Sequence, residues 1–202
     1  MRQDKTTFNP DNYCLVYEEV MTCQETRNIF KEFLKENMAE EPLLYLDECE
    51  KYKVEYAKLK EKFHGLSLMV KRSSSVGNVS DLGNETSGKE WDKNQLTKLF
   101  VNLKGIIDEF IVEEATKELN LSSVRQWTIM EWQIIEAMMN GFEQDSSNLE
   151  LSNNLYRKLD INVLFEKVDL VVMIDLKMDQ FPRFIRSNLA RKFLLEKGEH
   201  FT

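Results

Sequence analysis

Asp179 and Arg183 stand four residues apart in Asp179-Gln180-Phe181-Pro182-Arg183-Phe184-Ile185-Arg186-Ser187. On a helix that spacing sets a carboxylate beside a guanidinium, whose planar fork can hold it in one orientation. A carboxylate fixed in this way accepts hydrogen bonds from a partner's backbone or hydroxyl donors. It is equipped for recognition rather than for breaking bonds. Asn120, in Leu119-Asn120-Leu121-Ser122, carries an amide that both donates and accepts. Glu41, in Glu40-Glu41-Pro42, adds a second acceptor. Each residue also has a structural reading: Asp179 as a helix N-cap, Asn120 as a helix C-cap, Glu41 as a partner for the positive end of a helix dipole. Taken together, the three helix ends are expected to form one continuous binding face.

Residues for catalysis are scarce by comparison. The only histidines are His64 and His200. Glu61-Lys62-Phe63-His64 has the Glu-x-x-His spacing of di-iron bundles, which requires a second such pair. His200 has Lys197 at that offset, so the match is read as chance. There is no glycine-rich phosphate loop, no Gly-x-Ser-x-Gly elbow and no supported Cys-His arrangement. The chain is therefore expected to have no catalytic chemistry of its own, no metal and no cofactor. Cys14, Cys23 and Cys49 lack Cys-x-x-Cys spacing and are read as reduced thiols, with Cys49 filling core.

The elements that must position these groups are helical. Among 202 residues there are seven Gly and three Pro, and β-branched runs are few, which argues against a sandwich or barrel. Charged residues make up 31% and apolar ones 42%, as in a helical protein with solvated faces. The net charge of -8 disfavours a nucleic acid or anionic membrane as partner and favours a basic protein surface. No apolar run is long enough to span a bilayer, and the polar start lacks a signal-peptide core. A cytoplasmic location without direct membrane insertion is expected. The chain stops soon after its last amphipathic helix, as a domain of a longer protein would.

Periodicity predicts a helix over 26–38, with Ile29, Phe30, Phe33, Leu34 and Met38 on one face. After Ala39-Glu40-Glu41-Pro42 a longer helix carries Leu43, Leu46, Cys49, Tyr52, Tyr56, Leu59 and Phe63. Pro42 suits its first turn. Half of the residues in 73–88 are Ser or Gly, which predicts a disordered insertion. Lys71-Arg72-Ser73-Ser74-Ser75 has the composition of a basic-directed kinase site, and the glycosylation matches at Asn78 and Asn84 are read as chance. A further helix runs from about Leu96 to Leu119-Asn120. Ser122 or Ser123 caps the next, with Val124, Trp127, Ile134, Ile135, Met138 and Met139 as its stripe and Trp132 in the core or at a domain edge. Residues 140–158 read as a long polar segment broken at Asn140-Gly141, with Asp145-Ser146-Ser147-Asn148 as loop and a short helical turn at 149–155. A helix from Asp160 to about Met178 and one beginning at Asp179 complete the chain.

With these segments in place the chain resembles the regulator of G-protein signalling (RGS) domain family. Tyr17-Glu18-Glu19-Val20-Met21 followed by Phe30-Lys31-Glu32-Phe33-Leu34 is similar to the family's opening helices. Glu40-Glu41-Pro42-Leu43-Leu44-Tyr45-Leu46 with Cys49-Glu50-Lys51-Tyr52 resembles its SEENLxFWxxCExY run. Phe110-Ile111 and Ala115 through Leu121 resemble FI…A…xxNL, and Phe165 with Asp179 through Ser187 resembles F…DxFPRFLRS. The likeness covers roughly 17–63, 99–123 and 165–194, about half the chain.

The resemblance implies an all-α RGS-type bundle of about nine helices. Its domain would cover 13–195, interrupted by the insertion at 73–88 and the lengthened inter-helix segment at 140–158. It implies a GTPase-activating protein whose partner is a heterotrimeric Gα subunit in its GTP-hydrolysis transition state, a location at the inner face of the plasma membrane through that partner, and further domains in a longer chain. Residue by residue, Asn120 would touch the switch region and its catalytic glutamine, Asp179 held by Arg183 would accept hydrogen bonds from the first switch segment, and Glu41 and Gln180 would line the same face. Three positions depart from the pattern. Pro42 stands where accelerating members commonly have Asn, Leu46 replaces a Trp, and Asp175 replaces a contacting leucine. The first and last open the alternative of an RGS-like scaffold or effector module that binds without accelerating.

Overall fold

A computed structural model describes the backbone of residues 15–73 and 93–199, with all their side chains except those of 62–73, 149 and 198–199. Nearly all of the expected insertion, both glycosylation matches, Cys14 and His200 lie outside the described residues, as do the side chains of Phe63, His64 and Lys71-Arg72-Ser73. Every regular element described is helical: α1 Tyr17–Thr22, α2 Gln24–Glu36, α3 Glu41–Ser73, α4 Lys93–Ile106, α5 Ser123–Gln144, α6 Leu149–Lys158, α7 Ile161–Leu164, α8 Glu166–Ile174, α9 Phe181–Phe184 and α10 Asn188–Glu199. A π-turn, Ile107–Ile111, extends α4, and a second, Asp175–Gln180, joins α8 to α9. With α8 and α9 taken as one continuous helix, the described residues form nine helices, an all-α bundle. None is long and apolar enough to cross a membrane.

The chain divides into two compact units, Met1–Leu44 with Leu170–Thr202, and Tyr45–Asp169. The core of the first is aromatic. Phe30 and Phe33 on α2 and Phe181 and Phe184 on α9 are all buried, with Phe30 and Phe184 centroids 5.0 Å apart. The edge of the Tyr17 ring meets Phe181 at 5.5 Å, which fixes α1 against α9. Lys177 pairs with Glu18 on the same side.

The second unit is built along α3. Tyr45, Cys49, Tyr52, Tyr56 and Leu59 are buried on one face, close to the stripe expected from steps of three and four, with Tyr45 buried and Leu46 only half-buried. Its tyrosines bury their rings without orphaning their hydroxyls. Tyr45 donates to Asp169 at 2.7 Å, Tyr52 to the Leu159 carbonyl at 2.8 Å and Tyr56 to the Tyr156 carbonyl at 3.2 Å. Burial pushes the Cys49 thiol up to about 12, so this cysteine stays protonated. Cys23, at the N-terminal cap of α2, is exposed.

Five sequence expectations are corrected. The helix over 26–38 ends at Glu36, and Met38 leaves it with φ 50° and 89% exposure instead of joining the buried stripe. The helix expected to reach Asn120 ends in the π-turn at Ile111, so Asn120 is not a C-cap. In α5 the buried face carries Thr128, Trp132, Ile135, Met139 and Phe142, while Ile134 is exposed. The stretch 140–158 is mostly helical, because fully buried Phe142 carries α5 through Asn140-Gly141 and Asn148 caps α6 by accepting the Leu151 amide at 3.0 Å. Only 145–148 remains as loop.

The fifth correction concerns Asp179. It is not an N-cap, because it lies inside the continuous helix, in the π-turn that precedes Pro182. Proline supplies no N–H, and inside an α-helix its ring collides with the carbonyl four residues back. Here the chain winds wider, with the Phe181 N–H reaching Leu176 O, five residues back. Proline is thus accommodated without a break. The break comes later, where Ser187 Oγ accepts the Ala190 amide at 3.2 Å at the start of α10.

Candidate functional site

In the first unit the π-turn presents Asp175, Asp179 and Gln180 on successive windings, with Arg183 one turn on. The Arg183 guanidinium lies 3.6 Å from Asp179 Oδ2, and both side chains are about half exposed or more. Gln180, at 6% exposure, sits beneath them. Its Nε2 donates to Asp179 Oδ2 at 2.9 Å, and its Oε1 accepts from Arg183 Nη1 at 3.3 Å. The expected Asp–Arg pair is therefore a triad with a buried amide as its bridge. Such an exposed pair contributes little stability, but the bridge restricts where the carboxylate can point.

Asn37, which sequence reasoning did not single out, completes this cluster. It follows α2, where its Nδ2 donates to Phe33 O at 2.8 Å and its Oδ1 accepts from Arg183 Nη2 at 3.4 Å. The two residues are 146 positions apart. No local spacing rule could have paired them.

Asp175 is half-buried and has no ion pair within 4 Å among the described residues. Burial holds its carboxyl above the ordinary carboxylate range; the Asp179 charge raises it further and Arg183 pulls it partly back. Glu41 and Pro42 form the first turn of α3, as expected, with Glu40 O accepting from Leu43 N at 3.1 Å and Leu44 N at 3.0 Å. Both are half-buried.

Asn120 belongs to the second unit and projects from an irregular loop, 112–122. That loop folds back on the end of the preceding helix, the Leu119 N–H donating to Phe110 O at 2.9 Å and Lys117 N–H to Glu109 O at 3.1 Å. Leu119 and Leu121 are buried, whereas Asn120 between them is exposed. Two apolar anchors thus force the intervening side chain outward. Among the described residues the Asn120 amide has no hydrogen-bond partner, so its full donor and acceptor capacity is available. Arg125 on α5 reaches back to this loop, with Nη2 2.6 Å from Leu119 O and 2.6 Å from Glu118 Oε1.

The residues singled out from sequence thus fall into two groups. Asp175, Asp179, Gln180 and Arg183 are brought together, Glu41 and Pro42 stand in the same unit, and Asn120 stands in the other. No group of three or more metal-ligating side chains capable of holding an ion occurs among the described residues. What the arrangement offers is hydrogen-bond donors and acceptors in fixed positions, suited to a protein surface.

The model of the Regulator of G protein signaling domain family matches residues 16–193, most of the chain. A comparison with curated proteins gave no match.

Proposed function

Because the chain belongs to the regulator of G protein signaling domain family, whose members regulate G-protein signalling, we propose that it is a GTPase-activating protein for heterotrimeric Gα subunits. The observation that carries the proposal is Asn120, an exposed amide with unused hydrogen-bonding capacity, anchored between buried Leu119 and Leu121. It stands at the position where the family resemblance places the contact to the switch region.

The domain performs no bond chemistry. Gα supplies a transition-state arginine in cis and a glutamine that orients the attacking water. Asn120 donates to and accepts from the switch backbone and that glutamine, narrowing its orientations to the productive one. Asp179, oriented by Arg183 and Gln180, accepts hydrogen bonds from the first switch segment. Glu41, Pro42 and Gln180 border the same contact. Binding the transition-state arrangement better than the ground state lowers the barrier by about 1.4 kcal/mol for each tenfold in rate. The domain works in the cytoplasm, brought to the inner membrane face by its partner.

The test is single-turnover GTP hydrolysis by purified Gα subunits with and without the domain. Acceleration of at least one Gα is expected; an unchanged rate with every Gα of the source organism contradicts the proposal. Asp175 favours a second reading, a scaffold that binds without accelerating, because a half-buried carboxylate with no ion pair within 4 Å among the described residues is costly to press against a partner. Under that reading Gα binds equally in its GDP and transition-state forms.

A further inference from the structure

We infer that Arg125 is a positioning residue, a clamp that sets the loop carrying Asn120 before any partner arrives. The inference rests on the reading of Asn120 as a switch contact and adds to it the group through which Asn120 is held.

Three features meet at this clamp. First, a single guanidinium nitrogen takes two acceptors just before Asn120: Arg125 Nη2 is 2.6 Å from the Leu119 carbonyl and 2.6 Å from Glu118 Oε1. A charge-assisted bond to a backbone carbonyl fixes the peptide plane from which Asn120 projects. Second, Arg125 Nε is buried and has no hydrogen-bond partner among the described residues. Unpaired buried donors are rare because they are costly. This one is tolerated in a pose that delivers Nη2 to the loop, which points to loop geometry rather than stability as what the arginine secures. Third, the backbone of the loop is strained on both sides of Asn120. Glu114 has φ 60° and Ser122 has φ 46°, with ψ -127° at Ser122. Non-glycine residues hold such conformations only where the surroundings over-determine them.

The Ser122 hydroxyl makes no cap bond to α5, although Ser122 precedes its first residue. The Val124 N–H in the first turn of α5 donates to Leu121 O at 3.0 Å and holds the loop after Asn120, while Arg125 in the same turn holds it before Asn120. An open cleft of about 750 Å³ borders the clamp, lined by Val112, Glu113, Ser122, Gln126 and Met130 among others. It leaves space beside the loop into which an unclamped chain could relax. Lysine is a weaker substitute, because its ammonium is a strongly hydrated point charge on a flexible stem and lacks the pre-organised planar guanidinium.

The experiment combines hydrogen exchange of the free domain with single-turnover GTP hydrolysis by Gα, for wild type, Arg125→Lys, Arg125→Leu, Asn120→Ala and the double variant Asn120→Ala/Arg125→Leu. In Arg125→Leu the Lys117 and Leu119 amides are expected to exchange about tenfold faster, while those of Phe33 and Leu34 in α2 keep the wild-type rate. Acceleration is expected to fall about tenfold in Arg125→Leu and by less in Arg125→Lys. On the Asn120→Ala background, removal of Arg125 is expected to add less than about twofold, because its effect passes through Asn120. An unchanged exchange rate at Leu119 overturns the clamp, and so does a tenfold loss that multiplies fully in the double variant. If Arg125→Leu does not fold, faster exchange at Leu119 in Arg125→Lys supports the clamp and unchanged exchange overturns it. A wild-type domain that accelerates no Gα defeats the accelerator reading alone, and the exchange data then decide the clamp by themselves.

Discussion

At Asn120 the polar group projects from a backbone held by two buried leucines, two amide-to-carbonyl bonds and a guanidinium on the preceding carbonyl, that of Leu119. At Asp179 the polar group stands on the π-turn, and only side chains orient it: Gln180 beneath, Arg183 beside, and Asn37 behind the arginine. The first arrangement rests mainly on burial and backbone bonds, which salt does not screen, and lets the side chain be removed without disturbing its support. The second depends on exposed charge, which ions screen, and altering any member shifts the rest. If both groups contact Gα as proposed, they differ in failure mode. A backbone-held amide gives an all-or-none contact, and a side-chain-held carboxylate gives a graded one.

The largest effect should come from Asn120. Asn120→Ala leaves the loop's backbone bonds and leucine anchors in place, so the unfolding midpoint should stay at the wild-type value. It should lower acceleration by about ten- to hundredfold, since leaving a desolvated partner group unpaired costs about 1–3 kcal/mol. Loss of circular dichroism in this variant would instead make Asn120 structural and dissolve the contrast.

Asp179→Ala should come next, lowering acceleration by about tenfold, on the order of 1.4 kcal/mol. Its signature is ionic strength. Raising the salt should weaken the wild-type domain toward the variant while leaving the relative defect of Asn120→Ala unchanged. If both defects respond equally to salt, the two sites do not differ as described.

Gln180→Leu should have a smaller effect, a loss of about threefold, because the bridge is cut while the Asp179–Arg183 pair remains, worth up to about 1 kcal/mol at an exposed site. The measurement is again single-turnover hydrolysis, with thermal unfolding to confirm that the buried leucine is tolerated.

Asp175 gives the smallest effect and has a definite sign. Its carboxyl titrates above its ordinary value of 3.8 in the folded domain. The folded state therefore binds the proton more tightly than the unfolded one, and stability falls as the pH rises from about 3.8 through the raised native value. Asp175→Asn should be more stable than wild type at neutral pH by less than about 1 kcal/mol. That advantage should vanish as the pH approaches the ordinary carboxylate value. Urea unfolding of both proteins across this range checks it; an advantage independent of pH would place its origin outside the charge.

The long apolar stripes were legible in the sequence. Leu43, Cys49, Tyr52, Tyr56 and Leu59 recur at helical spacing and are buried on α3 as that period predicts, although Tyr45 is buried where Leu46 was expected. The family was legible too, because four motifs in order constrain far more than any one. Local breaks were harder to read. Pro182 behind an aspartate reads as a helix start, but the π-turn absorbs the proline by borrowing one residue, and nothing in the residue types announces that register. Most of the loop at 112–122 reads as helix in the sequence because Ala115 continues the spacing of α4. Leu119 is buried, and it gets there by folding back, its N–H on Phe110 O, rather than by helical rise. Asn37 and Arg125 were invisible because their roles exist only after the chain has folded.

The central claim is that this domain recognises Gα in its transition-state arrangement. Affinity for one Gα measured in three states, loaded with GDP, with a GTP analogue, and with GDP and aluminium fluoride, tests it most directly. Preference for the aluminium fluoride form by at least about tenfold, or 1.4 kcal/mol, is the predicted result, and equal affinity for the three forms would contradict it.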